Sequence, residues 1–396
     1  MPKLLQINEC LNFSTGKIAQ QIASLAIGSG WDSWIAYSSR EPAVPSFSHI
    51  IKVGGFLNPY IHYAENRLFD REGLSSRRAT RELVKQIQEI KPDIVQLHNI
   101  HDHWLNYRIL FEYLNSTDIK VVWTFHDCWA FTGHCFHFVT KNCEKWKTGC
   151  YDCPLKNEYP KTWRDRSKKN YKLKKQLFTA NKKLTIVACS EWMADLTRQS
   201  FLKDKRIEVI HNGIDLDVFK PSKEKLQDGI CKILAVSNVW NKEKGYYDIL
   251  KLREMLPADY EIIIVGLTSD QLNDLPKGIK GIQRTQNVQE MVELYSSSDV
   301  LINPTYADTF PTINIEALAC GTPVITYNTG GSPEIIDEKT GIVVEQGNLE
   351  ALTNAITSLR ENPIDSKDCR KRAETLFNKE ERFKDYINLY EKLLKQ

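Results

Sequence analysis

Short apolar runs alternate with longer helical stretches along almost the whole of this 396-residue chain. Several of the runs are almost continuously apolar, as in Glu261–Gly266, which is typical of strands covered on both faces of a parallel sheet. Alternation of strands and helices over this length favours a doubly wound α/β architecture. The predicted strands are Leu4–Asn8, Trp34–Ser38, Ile94–Asn99, Val121–His126, Thr185–Ser190, Ile207–His211, Lys232–Ser237, Glu261–Gly266, Val300–Pro304, Pro323–Tyr327 and Gly341–Val344.

The length of the chain favours two or three domains over one. A domain boundary is expected between Gln199 and Lys232, where the segment Asp217–Ile230 is polar, contains Pro221 and has Gly229 near its end. We predict two doubly wound, Rossmann-like domains, over residues 1–205 and 206–375, facing one another across a cleft. Ligands of such sheets bind beyond the carboxyl ends of the strands, so the residues that follow each strand matter most for function.

Composition excludes several other classes of protein. Hydrophobic residues make up 42% of the chain and charged residues 26%, as in an ordinary soluble protein. The formal net charge is only +3, so no global field indicates a nucleic-acid partner. No apolar run approaches the length that crosses a bilayer, and the first residues lack the layout of a secretory signal. We therefore expect a cytoplasmic protein, whose ten cysteines are thiols or metal ligands rather than disulfides.

The stretch from Asn303 to Gly331 carries the most specific pattern. Asp308 stands just before a predicted helix start at Phe310 and Pro311, and Glu316 follows inside that helix. A helix start exposes N–H groups and the positive end of a dipole, which suits a phosphate. Carboxylates on either side accept hydrogen bonds from hydroxyls. The segment therefore predicts a sugar-nucleotide site, although an ordinary amphipathic helix between two strands is the alternative.

The same stretch resembles the donor-site signature of the retaining glycosyltransferases of family 4. That signature is an acid, seven residues, a glutamate and then Ala-x-Ala-x-Gly-x-Pro-Val. Here it reads Asp308, seven residues, and Glu316 followed by Ala-Leu-Ala-Cys-Gly-Thr-Pro-Val. Two positions depart from the family: Asp308 replaces the usual glutamate, and Pro311 replaces a glycine and so removes one backbone donor.

The resemblance implies a GT-B fold in which the last helix, at about residues 376–396, returns to the first domain. It also implies catalytic roles for four residues. Lys244 and the helix start stabilise the departing nucleoside diphosphate, Glu316 holds the ribose hydroxyls, and Asp308 and His126 orient the donor sugar. The other residues predicted to contact the donor are Gly16, Asn212, Asn238, Lys242, Thr309, Phe310, Pro311 and Thr312.

Two of these assignments have equally plain structural alternatives, and a third departs from the family. The loop Asn12–Gly16 has a single glycine where the family has a glycine-rich loop, so an ordinary turn is an alternative. Asn212 and its following glycine suit a tight structural turn as well as a ligand contact. Asn238 occupies the position of the family's phosphate-binding arginine, and Lys242 is the candidate substitute.

Two groups of residues could suggest metal ions. Three histidines fall within six positions at His98–His103, although no partner acid or cysteine motif accompanies them, and a ligand-binding loop is the preferred interpretation. Five cysteines fall between Cys128 and Cys153. The spacing of four of them is compatible with a structural zinc in an insertion over residues 128–160, and a loop of unligated thiols is the alternative. The predicted zinc ligands are Cys135, Cys143, Cys150 and Cys153.

Residues 161–183 are strongly basic, with ten lysines or arginines against one aspartate. Apolar residues such as Trp163 and Phe178 are interleaved with them, a composition that suits an anionic membrane surface, while a solvated helix face is the alternative. No base-reading module accompanies this stretch, so nucleic acid is not expected. Peripheral contact with the inner face of the membrane is therefore the expectation.

These patterns together predict a retaining glycosyltransferase that needs no metal for catalysis. The donor is a nucleotide-diphosphate sugar, and the acceptor is a glycan or a polyprenol-diphosphate-linked glycan in the synthesis of cell-surface polysaccharide. A phosphorylase or hydrolase of nucleotide sugars and a non-catalytic binding protein are the alternatives. A redox enzyme is disfavoured because no Gly-x-Gly-x-x-Gly follows a strand.

Overall fold

The computed structural model describes residues 1–12, 14–42, 44–222 and 229–396. The chain divides into two units. Unit 1 comprises Met1–Ile210 and Phe383–Gln396, and unit 2 comprises His211–Arg382. The first division falls five residues after the boundary expected at residue 205.

Unit 1 is built on a seven-stranded sheet with all strands parallel. Its strands are β1 Lys3–Ile7, β2 Asp32–Ser38, β3 His49–Val53, β4 Ile94–Leu97, β5 Lys120–Phe125, β6 Leu184–Ala188 and β7 Arg206–Val209. Their order across the sheet is β3-β2-β1-β4-β5-β6-β7. The helices of this part of the chain are α1 Ser14–Gly28, α2 Asn58–Phe69, α3 Arg77–Ile90, α4 Tyr107–Leu114, α5 Ser167–Ala180 and α6 Glu191–Gln199.

Unit 2 is built on a six-stranded parallel sheet with the order β10-β9-β8-β11-β12-β13. Its strands are β8 Cys231–Val236, β9 Tyr260–Val265, β10 Ile279–Ile282, β11 Val300–Asn303, β12 Val324–Tyr327 and β13 Gly341–Val344. Its helices are α7 Tyr246–Met255, α8 Ser269–Asn273, α9 Val288–Ser297, α10 Thr312–Ala319, α11 Ser332–Ile335, α12 Leu349–Glu361 and α13 Ser366–Leu376. The prediction of two doubly wound α/β domains is confirmed.

One predicted strand was assigned to the wrong domain. The run Ile207–His211 was grouped with the second domain, but its residues form β7, which pairs in parallel with β6 of the first sheet. The pairing joins Ile186 to Ile207 and Ala188 to Val209. Two further strands, β3 and β10, were not predicted. The segment proposed as an interdomain connection, Asp217–Ile230, lies partly outside the described residues.

The last helix, α14, spans Lys379–Leu394 and ends in unit 1. Its apolar face packs on β1, α1 and β5 in one buried cluster. The hydroxyl of Tyr390 donates to Gln96 Oε1 at 3.1 Å, and the ring of Tyr390 meets Trp31 edge-on with 5.7 Å between centroids. Tyr386 accepts a hydrogen bond from Thr124 at 3.3 Å. The helix therefore completes the core of unit 1. Within the described parts of the chain, no helix has both the length and the apolar character needed to span a bilayer.

Tyr390→Ala should destabilise unit 1 by about 3–5 kcal/mol, because it removes a fully buried ring from this cluster. Tyr390→Phe should cost only about 1–3 kcal/mol, since it leaves the Gln96 acceptor without its donor. Urea unfolding followed by tryptophan fluorescence measures both values. Glu391→Ala, at the exposed neighbouring position, is the control. Equal stability of Tyr390→Ala and Glu391→Ala would contradict this account of α14.

Candidate active site

The strand order in the sheet of unit 2 changes direction between β8 and β11: strands β8 to β10 follow one another toward one edge, and β11 to β13 toward the other. These two strands are neighbours in the sheet, although β9 and β10 intervene in the chain. In doubly wound sheets, ligands bind beside such a reversal, at the carboxyl ends of the strands. The loop after β8 carries Lys244, and the loop after β11 carries Asp308. Both predicted catalytic residues of these loops therefore lie at the point where a doubly wound sheet binds its ligand.

Lys244 and Asp308 form an ion pair. Lys244 Nζ lies 2.7 Å from Asp308 Oδ2, and it also donates to the Ala307 carbonyl at 3.4 Å. The other carboxylate oxygen of Asp308 accepts from the Phe310 N–H at 3.2 Å. Both side chains are partly exposed, at 34% and 24%. An ammonium and a carboxylate are thus held in contact where solutes can reach them.

Backbone contacts fix the two loops to each other. The Tyr306 N–H, after β11, donates to the Glu243 carbonyl at 2.7 Å, which ties the two segments together. Asn241 Oδ1 accepts from the Lys244 N–H at 2.9 Å and caps the 3₁₀ turn Lys242–Lys244. The position of Lys244 is therefore set by a hydrogen bond of its own N–H and by one to the carbonyl of the preceding residue, Glu243.

Helix α10 begins one or two residues later than predicted. It starts at Thr312, and Pro311 is the residue before the helix rather than its first member, with an extended backbone at φ −69° and ψ 110°. No side chain caps this helix start. The Asn303 amide, at the end of β11, donates to Asn314 Oδ1 at 2.9 Å and fixes the first turn against the sheet. The backbone amides at this end carry the positive end of the helix dipole.

Glu316 lies within α10 and is held by a tyrosine that the sequence did not reveal. The Tyr295 hydroxyl, from α9, donates to Glu316 Oε2 at 2.8 Å. Burial, and then the charge of Glu316, raise the pKa of Tyr295 well above its usual value, so this hydroxyl keeps its proton. Tyr295 precedes Glu316 by twenty-one residues, and no spacing rule links the two positions.

A second contact that the sequence did not reveal lies beside the helix start. The ring of His211 stacks on Phe310 with 4.8 Å between centroids and 10° between planes. His211 Nε2 lies 3.5 Å from Glu334 Oε2. The stacked ring positions Phe310, which is buried, so Phe310 acts through packing at this end of α10.

The loop after β12 packs directly on the Asp308 loop. Gly330 has φ +55°, and a Cβ atom at this position would lie 1.7 Å from the Asp308 carbonyl oxygen. Only glycine combines this backbone conformation with this close approach. The conformation of the Asp308 loop therefore depends on the absence of a side chain at Gly330.

The remaining predicted donor contacts of unit 2 differ in exposure. Asn238 and Lys242 are exposed in the loop after β8, whereas Thr309 is buried. Asn212 is also buried, in a turn whose neighbour Gly213 would place a Cβ atom 2.4 Å from the Lys379 Cα atom. That turn has a structural role against the start of α14, and its contact with a donor stays a prediction.

In unit 1, His126 ends a chain of three polar side chains. Gln6 donates its amide to the Ala19 carbonyl at 2.8 Å, which directs Gln6 Oε1 toward His98 Nε2 at 3.1 Å. His98 Nδ1 lies 3.1 Å from His126 Nε2. Burial lowers the pKa of His126 to about 4 and that of His98 well below its usual value, so both rings are neutral at pH 7.

The other two histidines of the His98–His103 group have separate partners. His101 Nε2 lies 2.8 Å from Asp127 Oδ2, and His103 Nδ1 lies 3.2 Å from Asp102 Oδ1. The three rings therefore do not share one ligand, which agrees with the preferred interpretation of a loop rather than a metal site. Gly16 lies within the first turn of α1, not in a loop before it. A Cβ atom there would meet the Leu11 backbone at 2.4 Å, so packing requires the glycine. The rest of the predicted loop includes Phe13, outside the described residues.

The four predicted zinc ligands line one small cavity of the loop between β5 and α5. The thiols of Cys135 and Cys153 are hydrogen-bonded, and this contact is the main reason that the pKa of Cys153 falls to about 7. Cys150 Sγ accepts from the Gly133 N–H at 3.2 Å. Across the described ranges, however, no three histidine, cysteine or acidic side chains are arranged to hold a metal ion. The structure thus gathers the thiols but gives zinc no further support, and the zinc site stays a prediction.

Comparisons with known proteins agree with this geometry. The family model described as "Glycosyltransferase Family 4" matches residues 22–218, and the model described as "Glycosyl transferases group 1" matches residues 220–376. Sucrose-phosphate synthase from Thermosynechococcus elongatus has the same fold, with a TM-score of 0.74, 17% identity and 99% of both chains covered. Anabaena HepE in complex with UDP gives a TM-score of 0.68 at 13% identity, covering 99% of this chain and 100% of that one. The fold is therefore that of the GT-B glycosyltransferases.

A sequence relative extends along nearly the whole chain. The Escherichia coli (strain K12) protein described as "Putative colanic acid biosynthesis glycosyl transferase WcaC" is 25% identical over 399 residues, covering 95% of this chain and 96% of its own length. The two family models together span residues 22–376 almost without a gap. The chain belongs to the glycosyltransferases of family 4.

Gly330→Ala should weaken binding of nucleoside diphosphates by at least about tenfold, because the new methyl group forces the Asp308 loop to move. Gly229→Ala is the matched control, since Gly229 has a similar φ of +77° but no atom within 4 Å of its Cβ position. Isothermal titration calorimetry measures both affinities. Equal affinities in the two variants would show that contact with the Asp308 loop does not matter for binding.

If the cysteine cluster holds zinc, protein purified without added zinc should contain about one zinc ion per chain. Cys150→Ala with Cys153→Ala should abolish that zinc, whereas Cys10→Ala, a buried thiol elsewhere in unit 1, should not. Mass spectrometry measures the zinc content of the wild type and of both variants. A wild-type protein without stoichiometric zinc would leave the cluster as a set of packed thiols.

Proposed function

We propose that this protein is a retaining glycosyltransferase that moves a sugar from a nucleotide-diphosphate sugar to a hydroxyl of a glycan or polyprenol-diphosphate-linked acceptor. The observation that carries the proposal is the pairing of Lys244 with Asp308 beside the start of α10, at the switch point of the unit 2 sheet. Anabaena HepE, which has the same fold, forms a complex with UDP, and the E. coli relative is described as a putative colanic acid enzyme. The first supports a nucleotide-sugar donor, and the second supports a role in cell-surface polysaccharide synthesis.

The leaving group is the nucleoside diphosphate, whose charge must be neutralised as the glycosidic bond breaks. Lys244 supplies a cation, and the amides at the start of α10 supply the positive end of a helix dipole. Donor binding replaces the contact of Lys244 with Asp308 by a contact with phosphate. Asp308 then has an oxygen available to accept a hydrogen bond from a hydroxyl of the donor sugar. One ion pair thus serves both the phosphate and the sugar.

Glu316 is the proposed acceptor for the ribose hydroxyls. Its carboxylate is positioned by the Tyr295 hydroxyl, so its orientation does not have to be selected when the nucleotide binds. Lys242 and Asn238 are the further candidates for phosphate contacts after β8. In unit 1, His126 is proposed to hydrogen-bond the donor sugar, as the family resemblance implies.

In the proposed reaction the acceptor oxygen bonds to the anomeric carbon on the face from which the phosphate leaves. The bond between that carbon and the phosphate oxygen breaks, and the released phosphate oxygen takes the proton of the acceptor hydroxyl. Configuration at the anomeric carbon is therefore retained. Holding both reactants in this geometry supplies much of the rate, and stabilising the phosphate charge supplies much of the rest. We propose that catalysis needs no metal ion, since Lys244 and α10 supply the positive charge.

The alternatives make different predictions about turnover. A hydrolase or phosphorylase would release sugar or sugar phosphate without an acceptor alcohol, and a binding protein would turn over no nucleotide sugar. Incubation with UDP-, GDP- and ADP-sugars, with and without EDTA and with a lipid-linked acceptor, separates these cases. Acceptor-dependent transfer that survives EDTA supports the proposal. Loss of transfer with EDTA would remove the metal-free mechanism.

The division of roles is tested by two variants. Glu316→Ala should weaken nucleotide binding at least about tenfold, because it removes the charged acceptor of hydrogen bonds from two ribose hydroxyls. His126→Ala should leave nucleotide affinity nearly unchanged and slow transfer about a hundredfold, because it touches only the sugar. Glu350→Ala, an exposed glutamate of α12, is the control. Equal effects of both variants on binding and on transfer would refute the assignment.

A further inference from the structure

Helix α2 turns its polar side inward. His62 and Asn66 are buried, with 0% and 1% of their surface exposed. The ring of His62 is held there by the Ser76 hydroxyl, 2.8 Å from Nδ1, and by the Gly73 N–H, which donates to Nε2 at 3.0 Å. Hydrogen bonds thus anchor the inner side of α2, where most surface helices of globular proteins have apolar contacts.

The outer side of α2 is apolar. Leu57, immediately before the helix, is 64% exposed, Ile61 is 57% exposed and Leu68 is 39% exposed. Steps of four and seven residues put these side chains on one face of the helix. Neighbouring aromatic side chains that are also exposed are Phe56, Tyr60 and Phe69. A contiguous exposed apolar face of this kind marks a surface that contacts something other than water.

A basic and aromatic segment borders the end of α2. The Trp163 N–H donates to the Arg67 carbonyl at 2.8 Å, and the Thr162 hydroxyl donates to the Asn66 carbonyl at 2.9 Å. The Arg67 guanidinium lies 5.4 Å from the centre of the Trp163 ring, which is 65% exposed. Residues 161–164 are therefore fixed alongside the apolar face and continue it.

Cationic side chains lie at this border, and two nearby carboxylates accept hydrogen bonds from other residues of the protein. The Arg164 guanidinium lies 5.6 Å from the Phe69 ring, and Lys161 is exposed. Glu65 of α2 accepts a hydrogen bond from the Ser75 hydroxyl at 2.6 Å. Asp165 accepts from the Ser167 N–H at 2.8 Å. The surface thus combines apolar, aromatic and cationic groups.

We infer that this surface, formed by the outer side of α2 and residues 161–164, seats the protein on a lipid bilayer that carries anionic headgroups. Apolar side chains insert at the boundary between headgroups and acyl chains, aromatic rings lie at the headgroup level, and lysines and arginines contact anionic lipids. The charge of the border selects an anionic lipid surface over a neutral one. The inference is independent of the donor chemistry proposed for unit 2.

This inference relocates the membrane contact expected over residues 161–183. In α5, the apolar residues Tyr171, Leu177 and Phe178 pack into the core of unit 1 and cannot enter a membrane. Lys174 is buried as well, and its ammonium donates to the Trp129 carbonyl at 2.7 Å. Helix α5 can add only the charge of its exposed lysines. These are Lys168, Lys169, Lys172 and Lys175.

Cosedimentation with vesicles tests the inference. The wild type should bind vesicles of phosphatidylglycerol and phosphatidylcholine, and bind phosphatidylcholine alone much less. Leu57→Glu with Ile61→Glu should lower the partition coefficient at least about tenfold, because two apolar side chains no longer insert. Lys161→Gln with Arg164→Gln should lower binding to the anionic vesicles about fivefold or more. Val288→Glu, at an apolar position of unit 2 that is 48% exposed, should bind as the wild type does.

Two controls keep the test decisive. Leu57→Ser with Ile61→Ser repeats it without added charge, and an unchanged urea unfolding midpoint, followed by tryptophan fluorescence, shows that each variant is folded. The inference fails if the wild type does not bind the anionic vesicles, or if the α2 variants bind them as Val288→Glu does. It also fails if light scattering shows a wild-type dimer that the α2 variants dissociate while vesicle binding stays the same, since the surface would then contact a second copy of the chain.

Discussion

The central strands of both sheets are covered on their two faces, and this constraint decides where the chemistry of the chain can lie. A strand such as β4 or β6, buried along its whole length, has no free face on which to present a polar group to a ligand. Beside such buried strands, polar side chains can meet a ligand in the loops where the strands end. In unit 2 the strand order reverses between β8 and β11, and Lys244 and Asp308 form an ion pair between the loops that follow these two strands.

The sequence was sufficient for the architecture because its signals are local. Short, mostly apolar or β-branched runs identified eleven of the thirteen strands in the described part of the chain. The two missed strands, β3 and β10, lie at sheet edges and are only partly buried, so their apolar pattern is weak. The assignment of Ile207–His211 to the wrong domain has a different cause. Which neighbour a strand pairs with depends on long-range contacts, and the composition of β7 does not encode its pairing with β6.

The site was predictable to the extent that its residues follow strands. Lys244, Asp308 and Glu316 could be identified from a motif and a position after a strand, and their roles with a donor remain proposals. Tyr295 and His211 could not, because each acts through a partner that the fold alone brings near it. Pro311 was placed inside the helix, but its extended backbone makes it the residue before the first turn. Gly16 was read as part of a loop, whereas packing against Leu11 explains it.

The hydrogen bonds that link Gln6, His98 and His126 all run in one donor-to-acceptor direction. Because the Gln6 amide nitrogen is committed to the Ala19 carbonyl, its oxygen requires a proton on His98 Nε2. His98 Nδ1 then carries no proton and accepts a hydrogen bond from His126 Nε2. In the neutral ring of His126 the proton is therefore on Nε2 and not on Nδ1. A single carboxamide, 120 positions earlier in the chain, thereby selects the tautomer of His126.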